Sequence, residues 1–332
     1  MRILMTGGLG FIGSHLARRL EKEGHDIHIF DRDRVSMPRY YRGDLNDYYS
    51  LENAFQQTGP QLVVHLGGMV SRKECEETPD MAIATNAGGT LHVCTLALRH
   101  KARLIYSGSS EEYGAALTSG IPVTEETPFG EPTGIYSMTK RMAEEVVQYY
   151  AHFKGLQATT VRFFMLYGPG EPPTDYRSAL IRFTCNALLH RPLTVHKGTE
   201  RSWCYIDDAT EAIRRIVNRA QGHAYEVFNI GREDPIATEL LAEKIVRICR
   251  SRSLMKKVSV EATVNPIKRA SFQKARTVLG WKASTPIDKG LQQVAQWMRD
   301  YIRRTPSLRQ SSPPRGRLKE AHAAGKRRNP RI

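Results

Sequence analysis

Closely spaced cysteines are missing from this chain of 332 residues, which has five cysteines and no CxxC motif. An odd number of widely separated thiols argues against a disulfide framework, and the lack of paired Cys or Cys–His spacing argues against a zinc site. We therefore expect no bound metal and interpret the thiols as buried and free. They are Cys75, Cys94, Cys185, Cys204 and Cys249.

Long apolar runs are also missing. No window approaches the roughly 18 apolar residues of a membrane span. The opening MRILMTGG lacks the charged region, apolar segment and cleavage site of a signal peptide. These absences predict a cytoplasmic protein that does not enter a membrane. Apolar residues still make up 40% of the chain, which is enough for a buried core.

Acidic residues are scarce at one end of the chain. The formal net charge is +15, and residues 303–332 carry +9 of it, from ten basic residues and one acid. This segment is rich in Pro, Ser and Gly and poor in apolar residues, so we predict a disordered basic tail. The charge distribution argues against a nucleic-acid partner for the body, whereas polyanion binding by the tail stays open.

Short β-branched runs alternate with helical patterns over the first two thirds of the chain. The runs lie at 2–6, 27–30, 62–66, 103–107 and 159–167, with helical patterns near 14–23, 46–57, 80–100 and 137–153. This alternation predicts an α/β fold with a Rossmann-type, doubly wound parallel sheet. The Pro- and Gly-rich loop GPGEPP then leads into a smaller C-terminal α/β lobe. The predicted domains are residues 1–168, residues 169–302 for most of the second lobe, and the tail at 303–332.

The first strand runs directly into GGLGFIGSH, in which Gly7, Gly10 and Gly13 have GxxGxxG spacing. Such glycines permit a tight strand-to-helix turn and bring backbone N–H groups close to a pyrophosphate. Asp31 ends the second strand, where a carboxylate can accept hydrogen bonds from ribose hydroxyls. The sequence therefore predicts dinucleotide binding, with NAD favoured because a carboxylate repels the 2'-phosphate of NADP. Arg32 and Arg34 leave NADP open.

The segment SGSSEEYG at 107–114 follows another strand, and Tyr136 and Lys140 stand in YSMTK further along. Positions i and i+4 share one helical face, so we expect the Lys140 ammonium to lie near the Tyr136 phenol. Together with the positive nicotinamide ring, it would lower the pKa of Tyr136. Tyr136 then becomes a candidate base, and a serine of SGSSEEYG would hold the same substrate hydroxyl.

Together these motifs resemble those of the extended short-chain dehydrogenase/reductases, in the nucleotide-sugar epimerase/dehydratase group. The resemblance spans residues 1 to about 300. It rests on TGGLGFIGSH, Asp31, GDL, HLGG, NAGGT, SSEEYG, Tyr136 with Lys140, RFFMLYGPG, RSWCYIDD and LGW.

The resemblance implies an enzyme that uses NAD to oxidise the sugar C4 hydroxyl of a nucleotide-diphosphate sugar to a ketone. It also implies a homodimer and a nucleotide-sugar site in the second lobe. The implied catalytic residues are Ser109, Glu111, Tyr136 and Lys140. The implied cofactor contacts are Gly7, Gly10, Phe11, Ile12, Gly13, Asp31, Arg32, Asp44, Leu45, Leu66, Gly67, Gly68, Asn86, Ser107, Tyr136 and Lys140. The implied substrate contacts are Ser71, Ser109, Ser110, Glu111, Tyr136, Met165, Arg177 and Arg201.

Two adjacent acids bear on the steps after C4 oxidation. Strand-like alternation places Glu111 on the side of Ser109 and turns Glu112 the other way. The position of Glu111 is similar to that of the glutamate in the family's dehydratases and decarboxylases. We therefore expect Glu111 to assist C5/C6 chemistry, either 4,6-dehydration or decarboxylation of the UDP-glucuronate type. The alternatives are a 4-epimerase, a structural role for Glu111, and a non-catalytic NAD-binding scaffold with a polyanion-binding tail.

Two positions depart from the family pattern. Met165 replaces an asparagine that contacts the substrate, and Thr133 stands where the decarboxylases carry an arginine. Either the substrate differs from the common UDP-glucuronate, or Arg72, Lys73 or Arg177 supply the missing contacts. Other polar residues are interpreted structurally: Arg162 as a paired arginine, His65 as a packed histidine, and Asp207 with Asp208 as helix N-caps.

Overall fold

Residues 1–118, 120–174, 178–220, 224–259 and 268–310 are described in a computed structural model, residues 309 and 310 by their backbone alone. The strands are β1 (Arg2–Thr6), β2 (Asp26–Asp31), β3 (Tyr40–Arg42), β4 (Leu62–His65), β5 (Arg103–Ser109), β6 (Ala158–Phe163), β7 (Leu166–Tyr167), β8 (Leu193–His196), β9 (Glu200–Arg201), β10 (Cys204–Tyr205), β11 (Tyr225–Ile230), β12 (Ile236–Ala237) and β13 (Met255–Val258).

Helices cover both faces of the main sheet and build the second lobe. They are α1 (Phe11–Lys22), α2 (Tyr48–Thr58), α3 (Arg72–Glu77), α4 (Pro79–Ala82), α5 (Gly89–Arg99), α6 (Ile135–Lys154), α7 (Ala179–Leu188), α8 (Ile206–Asn218), α9 (Thr238–Cys249), α10 (Gln273–Leu279), α11 (Ile287–Arg304) and α12 (Ser307–Gln310). A π-helical turn, Ile83–Gly88, joins α4 to α5, and a 3-10 segment, Ser110–Thr118, follows β5.

Seven parallel strands form the main sheet in the order β11-β6-β5-β4-β1-β2-β3. The order reverses at β1, which pairs with β2 on one side and β4 on the other, so the predicted doubly wound Rossmann-type sheet is confirmed. Because all strands are parallel, the segments after β1, β2, β4 and β5 reach one edge of the sheet. Ligands bind at this edge in such folds.

One strand of this sheet was not predicted, and another was predicted as a short strand of the second lobe. The first, β3, has only three residues and a half-exposed pattern, which gives little periodic signal. The second, β11, pairs with β6 along its whole length, although it comes from beyond residue 168. The division of the chain at residue 168 stays a prediction, and the sheet itself includes residues from both sides of it.

Apolar side chains pack on both faces of the sheet. On one face α1 and α8 contact each other and bury residues such as Leu16 and Ile213; on the other, α2, α5 and α6 bury Phe55 and Val147. A separate cluster in the second lobe joins α7, α9 and α11. The five cysteines are buried and free, as interpreted from the sequence.

One helical stretch, Pro79–Arg99, is long and apolar enough to cross a membrane by length and composition. The sequence-based expectation that no such window exists is therefore wrong. Half of this window is buried, and α5 packs against β4, β5 and α6. A core helix passes the same test, and this packing is that of a core helix.

The predicted tail begins too early. Arg303 and Arg304 lie in α11, and a further short helix runs from Ser307 to Gln310. This extension is held because Leu308 packs against the second-lobe core and its carbonyl accepts a hydrogen bond from Arg191 at 2.6 Å. The remainder of the predicted tail, residues 311–332, lies outside the described residues.

Candidate active site

The glycine-rich turn between β1 and α1 has no room for side chains. Gly7 has a φ of +67°, and a Cβ there would lie 2.7 Å from the Gly67 Cα. A Cβ at Gly13 would lie 2.5 Å from the Gly7 carbonyl oxygen. The turn is closed by a 3.1 Å hydrogen bond from the Gly10 N–H to that oxygen. The first N–H groups of α1 are thus brought next to the loop that follows β4.

Asp31 connects this turn to the end of β2. One carboxylate oxygen accepts the Leu9 N–H at 3.0 Å and the other accepts the Arg32 N–H at 2.8 Å. Each oxygen retains acceptor capacity, which suits ribose hydroxyls. The Arg32 side chain is exposed.

The loop after β4 is held by buried polar contacts. The Gly67 N–H donates to the Thr6 hydroxyl at 3.2 Å. The Asn86 amide accepts the Met69 N–H at 2.8 Å and donates to the Thr139 hydroxyl at 3.0 Å. Asn86 therefore fixes the loop carrying Leu66, Gly67 and Gly68 against α6.

The remaining predicted cofactor residues lie around the same edge. Leu45 is buried, with its side chain 3.0 Å from where a Cβ of Gly67 would lie. The Asp44 carboxylate accepts hydrogen bonds at 2.9 Å from the backbone N–H and from the side-chain amide of Asn46, and these bonds stabilise the turn at 44–46. Phe11 and Ile12 begin α1 and pack toward the second lobe. A glycine-lined turn, a helix N-terminus and the Asp31 carboxylate, which can accept further hydrogen bonds, fit a dinucleotide.

Tyr136, Lys140 and Ser109 meet at the carboxyl end of β5. Tyr136 lies in the first turn of α6, is partly exposed, and lies near enough to Ser109 for that hydroxyl to affect its pKa. The Lys140 ammonium donates to the Ser107 carbonyl at 2.6 Å and lies 4.4 Å from the centroid of the Tyr106 ring. The predicted catalytic serine, tyrosine and lysine are therefore neighbours.

The predicted lowering of the Tyr136 pKa is wrong for these residues alone. Burial raises the pKa of Tyr136, the Ser109 hydroxyl opposes the rise, and the charges of Glu111 and Glu112 add to it. The charge of Lys140 does not reverse this rise. Burial also lowers the pKa of Lys140 to about 8, although Glu112 partly opposes this shift.

Glu111 lies in a group of opposite charges that we call the cationic cluster: Glu111, Lys268, Arg72 and Arg201. Its carboxylate forms an ion pair with Lys268 and lies 3.9 Å from an Arg72 guanidinium nitrogen. Burial tends to raise the pKa of Glu111, but the charges of Lys268, Arg72 and Arg201 outweigh it and hold the pKa below its usual range. Glu111 is therefore ionised at neutral pH.

Lys268 was not found from the sequence. It is buried and contacts Glu111 across 157 positions of the chain. Lys268 lies in none of the motifs named above. It falls within the part of the chain that resembles the family because it precedes the LGW segment. Arg72, by contrast, was considered as a substitute for the missing arginine, and the structure places it beside Glu111.

Glu112 points to the opposite side from Glu111, as predicted. The strand-like conformation assumed for that prediction is wrong, because both residues lie in the 3-10 segment. Glu112 meets a second group that we call the acid pair: Glu112 and Glu144, with Arg162 beside them. Arg162 donates to the Glu144 carboxylate at 2.9 Å and to the Tyr113 hydroxyl at 2.7 Å. The interpretation of Arg162 as a paired structural arginine is confirmed. Burial, then the neighbouring Glu144, raise the pKa of Glu112 well above its usual range.

Other predicted substrate residues are placed less centrally. The Ser71 hydroxyl caps α3 through the Glu74 N–H, and Ser110 is buried at the start of the 3-10 segment. Met165 has a left-handed backbone, with φ of +39°, and its carbonyl accepts the Cys204 N–H. Arg201 ends β9, and its charge interacts with that of Glu111. Arg177 lies outside the described residues.

Two structural interpretations have different outcomes. His65 is buried between the Thr6 and Thr90 hydroxyls, and burial lowers its pKa to about 3, so a packed neutral histidine is confirmed. The N-cap interpretation of Asp207 and Asp208 is wrong, because Tyr205 precedes α8 without a side-chain cap. Asp208 instead accepts the Thr285 N–H at 3.0 Å.

Known proteins with this arrangement identify the family. The model of the NAD dependent epimerase/dehydratase family matches residues 3–231. The chain belongs to this family. UDP-glucuronate 4-epimerase 1 of Arabidopsis thaliana is 28% identical over 338 residues, covering 90% of this chain and 77% of that protein. A UDP-N-acetyl-alpha-D-glucosaminuronate decarboxylase of Bacillus cytotoxicus is 29% identical over 324 residues, covering 90% and 98%.

The fold is also similar to that of solved structures. A crystal structure of a UDP-glucose 4-epimerase from Thermotoga maritima, with UDP-glucose, superposes with a TM-score of 0.84 at 23% identity. It covers 91% of this chain and all of that one. The resemblance inferred from sequence is therefore confirmed. The protein is an enzyme of the NAD-dependent epimerase/dehydratase family, and its cofactor is NAD.

Proposed function

We propose that this enzyme oxidises the C4 hydroxyl of a nucleotide-diphosphate sugar to a 4-keto intermediate, and that the sugar is a hexuronate. The observation that carries the proposal is the cationic cluster beside Ser109 and Tyr136. Three cations face the single carboxylate of Glu111, so the cluster has a net positive charge that suits an anionic ligand.

A uronate substrate has two anionic parts that match this excess charge. Guanidinium groups bind diphosphates and carboxylates through two oxygens at once, and an ammonium binds either as a point charge. Both relatives named above act, by their names, on sugars with a carboxylate at C5. A sugar of this kind has no C6 hydroxyl to eliminate, so 4,6-dehydration gives way to decarboxylation within our proposal.

The glycine turn, Asp31 and the loop at Gly67 would hold NAD, which when bound supplies the hydride acceptor for C4 and a positive charge near Tyr136. Ser109 and Tyr136 would bind the C4 hydroxyl between them, since both lie at the carboxyl end of β5 and Ser109 is near enough to affect the pKa of Tyr136. Tyr136 removes the hydroxyl proton as the base. Burial raises its pKa, so a cation is needed at this point for the phenolate to form near neutral pH.

Glu111 would then act at C5 and C6 of the 4-keto sugar. A ketone at C4 makes a C6 carboxylate a β-keto acid, which loses carbon dioxide, and also acidifies the C5 proton. Loss of carbon dioxide leaves an enolate, which takes up one proton at C5. Lys268 would supply this proton, because burial lowers the pKa of its ammonium, and the ionised Glu111 would hold Lys268 in place. The C4 ketone is then reduced again, and Tyr136 returns the proton to its oxygen. Decarboxylation is therefore our leading reaction.

The second candidate is 4-epimerisation, and one observation favours it. The low pKa of Glu111 makes it a weak base, and its ion pair with Lys268 directs it away from proton transfer. If the ion pair of Glu111 and Lys268 transfers no proton, the 4-keto sugar turns over in the site and is reduced at C4 from its other face. Glu111 then has a structural role.

Product analysis separates these reactions. The protein is incubated with NAD and with UDP-glucuronate, UDP-N-acetylglucosaminuronate, UDP-glucose, dTDP-glucose or GDP-mannose, and products are examined by mass and NMR. We expect a uronate to lose the mass of carbon dioxide. Unchanged mass with inverted C4 couplings indicates the epimerase, loss of water from a neutral sugar contradicts the uronate proposal, and no conversion of any donor contradicts the whole proposal.

Two variants show which residues act. Tyr136→Phe should lower kcat by about 10²- to 10⁴-fold, because it removes the acid–base group. Glu111→Gln should abolish decarboxylation, whereas turnover equal to wild type would remove Glu111 from the mechanism. Glu21→Gln, a change at an exposed position on α1, is the matched control and should leave turnover unaffected.

A homodimer and a cytoplasmic location are also proposals. Several apolar side chains on α5 and α6 are exposed in the described chain: Leu91, Met142, Tyr149 and Phe153. Contact between two copies through these helices would bury them. Light scattering after size-exclusion chromatography tests this, with Phe153→Lys expected to yield the monomer if these helices form the contact.

A further inference from the structure

The acid pair has no part in the chemistry proposed above, although Glu112 accepts a hydrogen bond from the backbone of Ser109. Glu112 and Glu144 are both fully buried. Burying a carboxylate is costly unless a cation or several hydrogen bonds compensate for it. The contacts of the two residues differ sharply, which indicates different charge states.

Glu144 has the contacts of an ionised carboxylate. One of its oxygens accepts the Arg162 Nε–H at 2.9 Å, and the other accepts from a second Arg162 nitrogen, from the Tyr225 hydroxyl at 2.9 Å and from Gln148 at 3.0 Å. Arg162 therefore uses its planar fork on Glu144, which is the geometry of a strong bidentate pair.

Glu112 has the contacts of a neutral acid. Its Oε1 accepts the backbone N–H of Ser109 at 2.9 Å. Its Oε2 is buried and accepts no hydrogen bond, and the nearest Arg162 nitrogen lies 3.6 Å away. Glu112 Oε2 and Glu144 Oε2 nevertheless lie around the same Arg162 nitrogen, at 3.6 and 2.9 Å from it. Two buried carboxylates this close to one another repel unless one of them carries a proton.

The proton belongs on Glu112 Oε2. Both Glu144 oxygens already accept hydrogen bonds, whereas Glu112 Oε2 has no partner. A protonated Glu112 Oε2 becomes satisfied once it donates to Glu144 Oε2, which accepts one bond, from the Arg162 Nε–H. The direction of the pKa shifts agrees: burial and then Glu144 raise the pKa of Glu112, while the pKa of Glu144, despite burial, is kept low by Glu112 and Arg162.

We propose that Glu112 is a positioning residue for the reaction at C4. It is a neutral acid that donates a hydrogen bond to Glu144 through its protonated Oε2 and accepts the Ser109 N–H through Oε1. The proposal rests on the proposed function, because it is Ser109 that would bind the C4 hydroxyl. The same side chain joins the catalytic turn to α6 and β6. A shift of Ser109 by a fraction of an ångström alters the alignment of hydroxyl and base.

Several titratable groups face Glu112, and its neutrality matters for each of them. An ionised Glu112 would add a negative charge among them, whereas a neutral one leaves the charge of Glu144 matched by Arg162 alone. These groups are Glu144, Lys140 and Tyr136 from α6, Arg162 from β6, and Tyr106 from β5, with Tyr225 of β11 facing Glu144.

A pair of variants tests the positioning role. Glu112→Gln keeps an acceptor for Ser109 and a donor for Glu144, whereas Glu112→Leu has a similar volume and neither group. With UDP-glucuronate as substrate, we expect Glu112→Leu to lose about 10- to 100-fold in kcat with little change in KM, and Glu112→Gln to retain kcat within about threefold. The pH profile of kcat should coincide for Glu112→Gln and wild type. A displaced profile, or equal damage in both variants, would overturn the proposal.

A second measurement needs no substrate and so separates this proposal from the proposed function. The infrared spectrum of the wild-type protein near neutral pH should contain a neutral carboxylic-acid band that Glu112→Gln lacks and Glu111→Gln retains. Glu125, whose pKa burial also raises, contributes equally to all three proteins. If wild type and Glu112→Gln have identical bands, Glu112 is ionised and the proposal is wrong, even if Glu112→Leu does not fold. If the band is lost while no sugar is converted, only the proposed reaction fails.

Discussion

Glu111 and Glu112 are adjacent and chemically identical, yet they lie in opposite electrostatic surroundings. Glu111 faces Lys268, Arg72 and Arg201, which lower its pKa. Glu112 faces a second carboxylate whose arginine is already engaged, and its pKa is raised. The comparison teaches that a pair of acids in this motif does not mean a pair of charges. The neighbours decide which acid can act as a base.

The two sides also differ in how their partners are held. On the buried side, Glu144 and Arg162 come from the middle of α6 and from β6, a strand buried along its whole length. On the cationic side, Lys268 precedes α10, Arg72 begins a short helix, and Arg201 ends a two-residue strand. We expect the buried side to contribute mainly to stability and the cationic side mainly to binding.

The largest effect should come from breaking the buried side. Arg162→Met leaves Glu144 charged and unpaired, so we expect a loss of about 3–5 kcal/mol in the free energy of unfolding. Urea denaturation followed by circular dichroism measures it. Arg141→Met is the control, since Arg141 pairs with Glu145 on the surface of α6 and such pairs contribute less than about 1 kcal/mol. Equal losses in the two variants would contradict the distinction.

The matching change on the cationic side is Lys268→Met. It should lower kcat/KM for UDP-glucuronate by about 10- to 100-fold, because one of the charges that bind the substrate is removed. The loss of unfolding free energy should be smaller than for Arg162→Met, about 1–2 kcal/mol, since Arg72 still compensates Glu111. Lys244→Met, which removes an ion pair with Asp288 in the second lobe, should leave kcat/KM unaffected. A reversed order of the stability losses would refute the assignment of roles.

The pH dependence of stability should have opposite signs for the two acids. The folded pKa of Glu111 is lowered, so its contribution is present above the unfolded value of about 4.3 and is lost as the pH falls through the folded pKa. The folded pKa of Glu112 is raised, so its contribution is present below about 4.3 and is lost as the pH rises.

Thermal unfolding over a pH series measures this contrast. Glu111→Gln should be less stable than wild type at neutral pH, with the difference narrowing in acid. Glu112→Gln should gain stability relative to wild type as the pH rises from about 5 to 8. Parallel curves for the two variants would mean that both acids have the same charge state.

The smallest effect concerns the link between the cationic side and α6. The Ser137 hydroxyl donates to the Glu111 carbonyl at 2.6 Å. Ser137→Ala should cost about 1 kcal/mol of unfolding free energy and leave the pH dependence of stability unchanged. Differential scanning calorimetry suffices, with Ser202→Ala as a control outside this contact. A change in pH dependence would show that the bond also orients the Glu111 carboxylate.

Local patterns carried much of the fold and the cofactor edge. The glycine spacing and Asp31 are features of one βα turn, and the structure has them in contact through the Leu9 N–H. The opposite orientation of Glu111 and Glu112 was predicted from strand-like alternation, although the segment Ser110–Thr118 is a 3-10 segment and not a strand. The family and its cofactor followed from such short motifs, because their geometry depends on neighbours in the sequence.

The features that the sequence could not supply depend on contacts between distant segments. Lys268 reaches Glu111 from the far end of the chain, and no periodicity indicates that pairing. The direction of the Tyr136 pKa shift depends on burial, which the i,i+4 spacing does not determine. The early start of the predicted tail has the same cause, since Leu308 is held by the second lobe.

The pairing of β11 with β6 has a consequence for biosynthesis. Until residues 225–230 leave the ribosome, β6 is an unpaired edge of apolar character, and such edges promote association between nascent chains. The dinucleotide half therefore cannot finish folding co-translationally on its own. A fragment that ends at residue 168 should aggregate, whereas one that extends past Ile230 provides the strand that covers this edge.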